Sequence, residues 1–389
     1  MQRKSNIKPF SIPCVRFIMA VEINPTRVYH IDISNEINTP RRTDMRYQEK
    51  IAYDNILKLR AMLKELPAFM ENYFRSLSDQ TAPLTRLGYA LDYKIFFRYL
   101  SEEMLDGKAV TDITVQDLAG LTATDIEAFM EYLTYYIPVY DQNTQITNNA
   151  KGKARKLAAV RGLFKYLYGK GQINANPAEL VGFPKIHEKA ITTLEPDEVA
   201  KLLDEIDEGE KLSPQQKRYH AQTKKRDAAI ITALLGTGMR VSECVGIDLD
   251  HIDFETNGLK VTRKGGDEMV LYFGQEVEES LKSYLEVRDE LTPQPGHETA
   301  LFLSLQNRRI TARAVQNLVK KYASLVTRLK NISPHKLRST FGTQLYTETS
   351  DIYLVANVLG HADVNTTRKH YAKMDDNYRR RAANAVKLR

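Results

Sequence analysis

Gly236-Thr237-Gly238-Met239-Arg240-Val241-Ser242-Glu243 follows the apolar run Ala228–Leu235. Its glycines permit a tight reversal, and Val241, Cys244 and Val245 can anchor the next helix, so Arg240 would be presented at the surface by a buried scaffold. The plain alternative is a surface arginine paired with Glu243 three residues on. Lys264 stands in Lys264-Gly265-Gly266-Asp267, between the alternating stretches Leu259–Val261 and Met269–Phe273, which is a glycine-turn hairpin signal. A turn lysine is normally just solvated, but on a hairpin it could also enter a groove and deliver a proton. Ser333-Pro334-His335-Lys336-Leu337-Arg338 reads as a helix start with Ser333 as N-cap and Pro334 at the first position. His335 and Arg338 then share a face of the first turn, near free backbone N–H groups, which suits an anion such as phosphate. A structural histidine cap is the other reading. Leu359-Gly360-His361 ends a further helix, with Gly360 as its stop, and Tyr371 follows ten residues after His361. With 21 tyrosines in the chain, a single helical tyrosine is ordinarily core or amphipathic surface.

These groups need a scaffold, and the pattern supplies one that is mainly α, with a small β-sheet in the C-terminal part. Helical spacing begins near Tyr47 (Ile51, Ile56, Leu59, Leu63, Leu66) and is interrupted at Pro67. A second helix follows Pro83, and a third is expected over Thr124–Tyr136, with Thr124 and Glu127 as a capping box. A fourth spans Asn148–Tyr168 and carries Lys151, Lys153, Arg155, Lys156, Arg161 and Lys165 between apolar positions. That basic face is either solvated or in contact with phosphates. The expected organisation is a flexible arm over 1–46 and a helical domain over 47–173. A linker rich in breakers follows over 174–193 (Pro177, Gly182, Pro184), then a second domain with a tail over 194–389. Leu194 to Asp197 opens its first helix, and Gly209–Lys225, polar and basic, reads as an exposed loop or helix extension.

The 389 residues favour two domains, and 42% apolar with 27% charged residues is ordinary for a globular protein. A net charge of +7 suggests a polyanionic partner. Cys14 and Cys244 make neither a zinc framework nor a disulfide scaffold, which fits a reducing cytoplasm. Pro13, Arg16 and Glu22 interrupt the apolar stretch Phe10–Ile23, so neither a membrane span nor a signal peptide is expected, and Met19 and Met45 are alternative starts.

Taken in order, Thr237–Glu243, Pro334–Thr340 and Leu359–Tyr371 resemble the signature boxes of the tyrosine recombinases, the phage integrase family. The resemblance covers Leu194–Arg389 and, more loosely, Tyr47–Tyr168, and it implies a helical core-binding (DNA-binding) domain over 47–173 and a catalytic domain over 194–389. One spacing departs: ten residues separate His361 from Tyr371, where the family more often has nine, and His370 directly precedes the tyrosine. Residue by residue, the resemblance implies that Arg240 is the first catalytic arginine and Glu243 its acidic neighbour. It makes Lys264 the hairpin lysine, His335 and Arg338 the central pair, His361 the second histidine and Tyr371 the nucleophile. Lys151, Lys153, Arg155, Arg161 and Arg263 are candidate DNA contacts.

The chemistry so implied is transesterification at phosphorus through a 3′-phosphotyrosine and a free 5′-hydroxyl, with no ATP, no metal and no cofactor. The implied partner is double-stranded DNA carrying a specific target site, bound by a homo-tetramer on two duplexes. The tail Met374–Arg389 would dock on a neighbouring protomer, or else is a frayed basic tail. The expected role is Xer-like chromosome dimer resolution, in chromosome partition. An integrase or excisionase-type recombinase of a mobile element or prophage is the alternative. A type IB topoisomerase or an inactive DNA-binding protein is the remoter reading.

Overall fold

The computed structural model describes residues 45–136, 145–186, 191–263, 265–360, 363–365 and 367. In chain order the elements are α1 (Tyr47–Leu63), α2 (Met70–Ser76), α3 (Pro83–Tyr99), α4 (Val115–Ala119), α5 (Ala123–Tyr132), β1 (Tyr135–Tyr136), β2 (Ile146–Thr147) and α6 (Ala150–Gly169). There follow α7 (Pro196–Glu208), α8 (Pro214–Thr237), α9 (Val241–Val245), β3 (Ile252–Asp253), β4 (Gly258–Thr262) and β5 (Glu268–Tyr272). The series ends with α10 (Gln275–Glu290), α11 (Ala312–Val326), α12 (Pro334–Thr349) and α13 (Ile352–Leu359). The chain is thus mainly helical with small antiparallel sheets, as its pattern implied. Among the described residues no helix is long and apolar enough to cross a membrane.

Among the described residues two large hydrophobic cores form, with a smaller cluster where Val355 and Leu359 of α13 pack on Phe341 and Leu345 of α12. The first is aromatic: Tyr93, Phe96 and Phe97 of α3 pack with Phe129 of α5 and with Leu163 and Phe164 of α6. Burying each such side chain contributes about 1.5–3 kcal/mol. The Tyr93 hydroxyl, sealed inside, donates to the Ala159 carbonyl at 2.6 Å and so ties α3 to α6. Local chemistry starts α3 as expected at Pro83, while α6 begins two residues after the expected Asn148, behind Asn149, whose side chain accepts from Gly152 N at 3.0 Å. The third expected helix is shifted. Thr122, not Thr124, is the N-cap, because the Asp125 carboxylate reaches back to the Thr122 N–H at 2.7 Å. Its far end stops at Tyr132, and Tyr135–Tyr136 pairs with Ile146–Thr147 instead. Ile51, expected to face inward, is 36% exposed. Ala178 and Val181, inside the stretch read as linker, are buried in this first core.

The second core gathers α7, α8, α10 and α11 around Ile230, Leu234, Leu281, Tyr284, Val319 and Tyr322. Of the two readings of Gly209–Lys225, the helix extension is the one the structure shows. From Pro214 onward it is the first half of α8, a helix of 24 residues and so roughly 36 Å long. Ser213 and Gln216 form a reciprocal capping box ahead of Pro214, and this start signal outweighs the polar composition. Strands β3–β4–β5 make a three-stranded antiparallel sheet in which Leu259 pairs with Leu271 and Val261 with Met269. The hairpin turn is closed by Arg263 N donating to Asp267 O at 2.7 Å, with Gly265 and Gly266 at φ +107° and +96°. Helix α1 touches both cores: Leu59 lies in the first, while Tyr47 packs on the second under the Arg309 guanidinium, 4.7 Å from its ring.

Candidate active site

The site is assembled at the far end of α8. Its last buried turn runs into Gly238 at φ +64°, in the left-handed region that suits glycine, and Gly238 N closes the helix on Leu234 O at 3.2 Å. A Cβ on Gly238 would lie 2.3 Å from a Phe341 ring carbon, so only a bare Cα lets α8 and α12 meet here. Gly238→Ala is therefore expected to destabilise the protein through left-handed strain of about 1–2 kcal/mol and overpacking of about 1–3 kcal/mol. Urea unfolding measures the sum, and a loss below about 1 kcal/mol would mean that Phe341 simply moves aside.

Arg240 is the N-cap residue of α9. Its backbone N–H donates to Glu243 Oε2 at 2.8 Å, and its Nη1 donates to Glu243 Oε1 at 2.8 Å. The surface pair weighed from sequence does form, but Glu243 is only 3% exposed, so the carboxylate fixes the guanidinium from beneath. Cys244 beside it is sealed in the core, and burial pushes its thiol up to about 12, away from reactivity.

Arg338, one turn into α12, is buried at 5% exposure. Its Nη1 donates to Gly238 O at 2.6 Å and its Nη2 to Leu359 O. His335, three residues earlier, is exposed. Ser333 occupies the N-cap position with Pro334 at the first helical position, as expected, though without a side-chain cap bond.

Helix α13 starts where the Asp351 carboxylate accepts from Tyr353 and Leu354 N–H, and stops at Gly360 with φ +61°. Its last carbonyls lack intrahelical partners and carry the negative end of the helix dipole. Three guanidiniums take them in succession. Arg263 Nη2 donates to Val358 O at 3.0 Å, Arg338 Nη2 to Leu359 O, and Arg240 Nη2 to Gly360 O at 3.3 Å. Burial holds the Arg263 guanidinium below its ordinary value, with Glu243 opposing and Arg240 adding to the shift. Three guanidiniums thus converge on one helix end, Arg240 also paired with Glu243, and such donors suit an oxyanion.

Of the residues picked from sequence, Arg240, Glu243 and Arg338 are brought together. Lys264, His361 and Tyr371 lie outside the described residues, as does the tail from 374. Arg263, picked as a DNA contact, sits instead in this cluster. Strand alternation could have found it: Leu259 and Val261 point inward, and Arg263 continues that face. On α6, Arg155 is forked onto the buried Asp92 at 2.5 and 2.6 Å. Burial pushes the Asp92 carboxyl up to about 6, with Arg155 and then Lys156 pulling it back. Arg161 donates to Glu179 O at 2.7 Å and lies 4.8 Å over the Phe183 ring, while Lys153 donates to the Thr134 hydroxyl at 2.6 Å. Arg155 and Lys151 are exposed and Arg161 and Lys153 half-buried, so all four basic side chains reach the surface of this helix.

Residues 192–378 match the model of the phage integrase family. The tyrosine recombinase XerC of Caldanaerobacter subterraneus subsp. tengcongensis is 31% identical over 359 residues, which cover 89% of this chain and 90% of that protein. The tyrosine recombinase XerS of Lactococcus lactis subsp. cremoris is 32% identical over 334 residues, covering 80% and 93%. Among solved structures, the XerH site-specific recombinase bound to a palindromic difH substrate matches with a TM-score of 0.56 at 23% identity, covering 74% of this chain and 76% of that one. The Tn1549 transposon integrase in complex with circular intermediate DNA matches at 0.54 and 18% identity, covering 77% and 93%. The two structural matches establish a shared fold. Identity of nearly one residue in three along nine tenths of both chains, joined to the arginine cluster, places this chain in the phage integrase family of tyrosine recombinases, enzymes that cut and rejoin DNA through a tyrosine-linked intermediate.

Proposed function

We propose that this protein is a site-specific recombinase in which Tyr371 attacks a DNA phosphate held by Arg240 and Arg338. One observation carries the reading: both guanidiniums converge on the end of α13, bonded to neutral carbonyls that an anionic phosphate oxygen would outcompete. A phenol with pKa ~10 is a poor nucleophile at neutral pH, and positive charge from the guanidiniums favours its phenolate. The phenolate oxygen bonds to phosphorus, and the P–O5′ bond breaks. Lys264 gives its proton to the departing 5′ oxygen, leaving a 3′-phosphotyrosine. His335 accepts the phenol proton or hydrogen-bonds the phosphate, and His361 donates to a non-bridging oxygen. Attack by a 5′-hydroxyl reverses the steps without ATP.

In this reading residues 47–173 and 194–389 are the DNA-gripping and catalytic domains joined by 174–193, and four protomers act on two duplexes carrying a specific site. Xer-named relatives matching most of the chain support a Xer-like role in chromosome dimer resolution. The test is covalent trapping. Duplexes enriched by binding from a random library are nicked beside the cleavage position, so that the released fragment cannot religate. A denaturation-resistant protein–DNA adduct is expected, and a protein that binds the same duplexes yet yields none is only a binder.

A further inference from the structure

Arg263 has no assigned part in the reaction above, yet its guanidinium lies inside the arginine cluster. It donates through Nη2 to Val358 O at 3.0 Å, and it presses on the bare Cα of Gly360. A Cβ built on Gly360 would fall 1.7 Å from Arg263 Nη1 and 2.2 Å from Cζ. Its Nε is buried with no hydrogen-bond partner among the described residues. A buried donor without a partner is a cost that packing alone does not explain. Loss of solvent and the neighbouring Arg240 both work against its charge, with Glu243 as the counterweight.

The side chain reaches this place because of strand register. Leu259 and Val261 face the second core, and Arg263 is the next inward position as the hairpin leaves β4. Its backbone is pinned there by the bond from Arg263 N to Asp267 O at 2.7 Å. The hairpin therefore reaches the last turn of α13 through this guanidinium.

We infer that Arg263 is a positioning residue: it clamps Val358–Gly360 from the hairpin and so sets how the end of α13 stands against Arg240 and Arg338. Besides the turn's own backbone bonds and the packing of Leu359, side-chain bonds reach the turn from Arg338 on Leu359 O and Arg240 on Gly360 O, the two side chains that a phosphate recruits. Arg263 keeps the turn in place while they change partners. Gly360 is glycine for two reasons, its φ of +61° and the guanidinium on its Cα.

The inference rests on Arg240 and Arg338 holding the phosphate, and the experiment separates the two claims. Single-turnover formation of the covalent adduct at saturating DNA is measured for the full-length wild type, Arg263→Ala, Arg263→Lys, Gly360→Ala and the Arg263→Ala/Gly360→Ala double variant, with DNA affinity and thermal midpoint alongside. A wild type that makes no adduct overturns the phosphate reading itself. Arg263→Ala is expected to slow adduct formation about 10- to 100-fold by misplacing the turn, with DNA affinity within about twofold of wild type. Arg263→Lys, which can still reach one carbonyl, is expected to recover part of the rate. In Gly360→Ala the new methyl displaces the end of a long flexible side chain, so that variant mimics the loss of Arg263. The backbone strain at Gly360 is the same in both backgrounds and cancels in the double-mutant cycle. The two substitutions are therefore expected to be strongly non-additive. Additive rates, an Arg263→Ala rate equal to wild type, or a loss confined to DNA affinity with a reduced salt slope would overturn the positioning role.

Discussion

Tyr371→Phe is expected to abolish the covalent protein–DNA adduct while leaving sequence-specific binding within about twofold of wild type. The substitution removes one oxygen atom and keeps the ring. The proposed nucleophile disappears, and the guanidiniums and basic surfaces that grip phosphates are untouched. Charge contacts distributed over the duplex dominate affinity, and the loss of one neutral hydroxyl barely alters them. Denaturing gels on the nicked substrate read the adduct, and mobility shifts on the intact duplex read binding. Tyr378→Phe serves as the control and should retain the adduct. An adduct that persists in Tyr371→Phe, or vanishes in Tyr378→Phe, assigns the nucleophile to another residue.

Arg338 should be nearly as sensitive. Arg338→Ala leaves Gly238 O and Leu359 O without their buried donor, so a stability loss of about 1–3 kcal/mol is expected together with the catalytic one. Arg338→Lys separates the two. An ammonium can satisfy one of those carbonyls but cannot fork across both, nor offer a planar pair of donors to a phosphate. Adduct formation is expected to fall at least about 10²-fold in Arg338→Lys, the scale of one lost transition-state donor, in protein that still melts cooperatively. A rate within tenfold of wild type in the folded Arg338→Lys protein would show that positive charge alone suffices and that fork geometry is not what the site uses.

Much of the architecture was readable from local chemistry. Pro83, Glu195-Pro196, Pro334 and Gly360 mark helix ends because each acts on the backbone within one turn of itself. The hairpin around Gly265-Gly266 was readable for the same reason, since alternation and a turn are properties of a dozen consecutive residues. Where two local signals competed, sequence reading went astray. Thr122 with Asp125 won over Thr124 with Glu127, and Ser213 with Gln216 decided for helix in a segment that read as either an exposed loop or a helix extension.

By itself, then, the sequence determined the helical fold class, the hairpin, the order of the arginine, histidine and tyrosine boxes, and the basic balance. The tertiary structure alone decided which cations gather. Arg155 and Arg161 stand on one basic helix, and packing pairs them with Asp92, 63 residues from Arg155, and with the Glu179 carbonyl. Arg263, a candidate DNA contact by sequence, donates to Val358 O, 95 residues away. A guanidinium bonds whatever acceptor the packed cores place within about 3 Å, and over such separations that acceptor is chosen by how helices and strands pack, which no local pattern encodes.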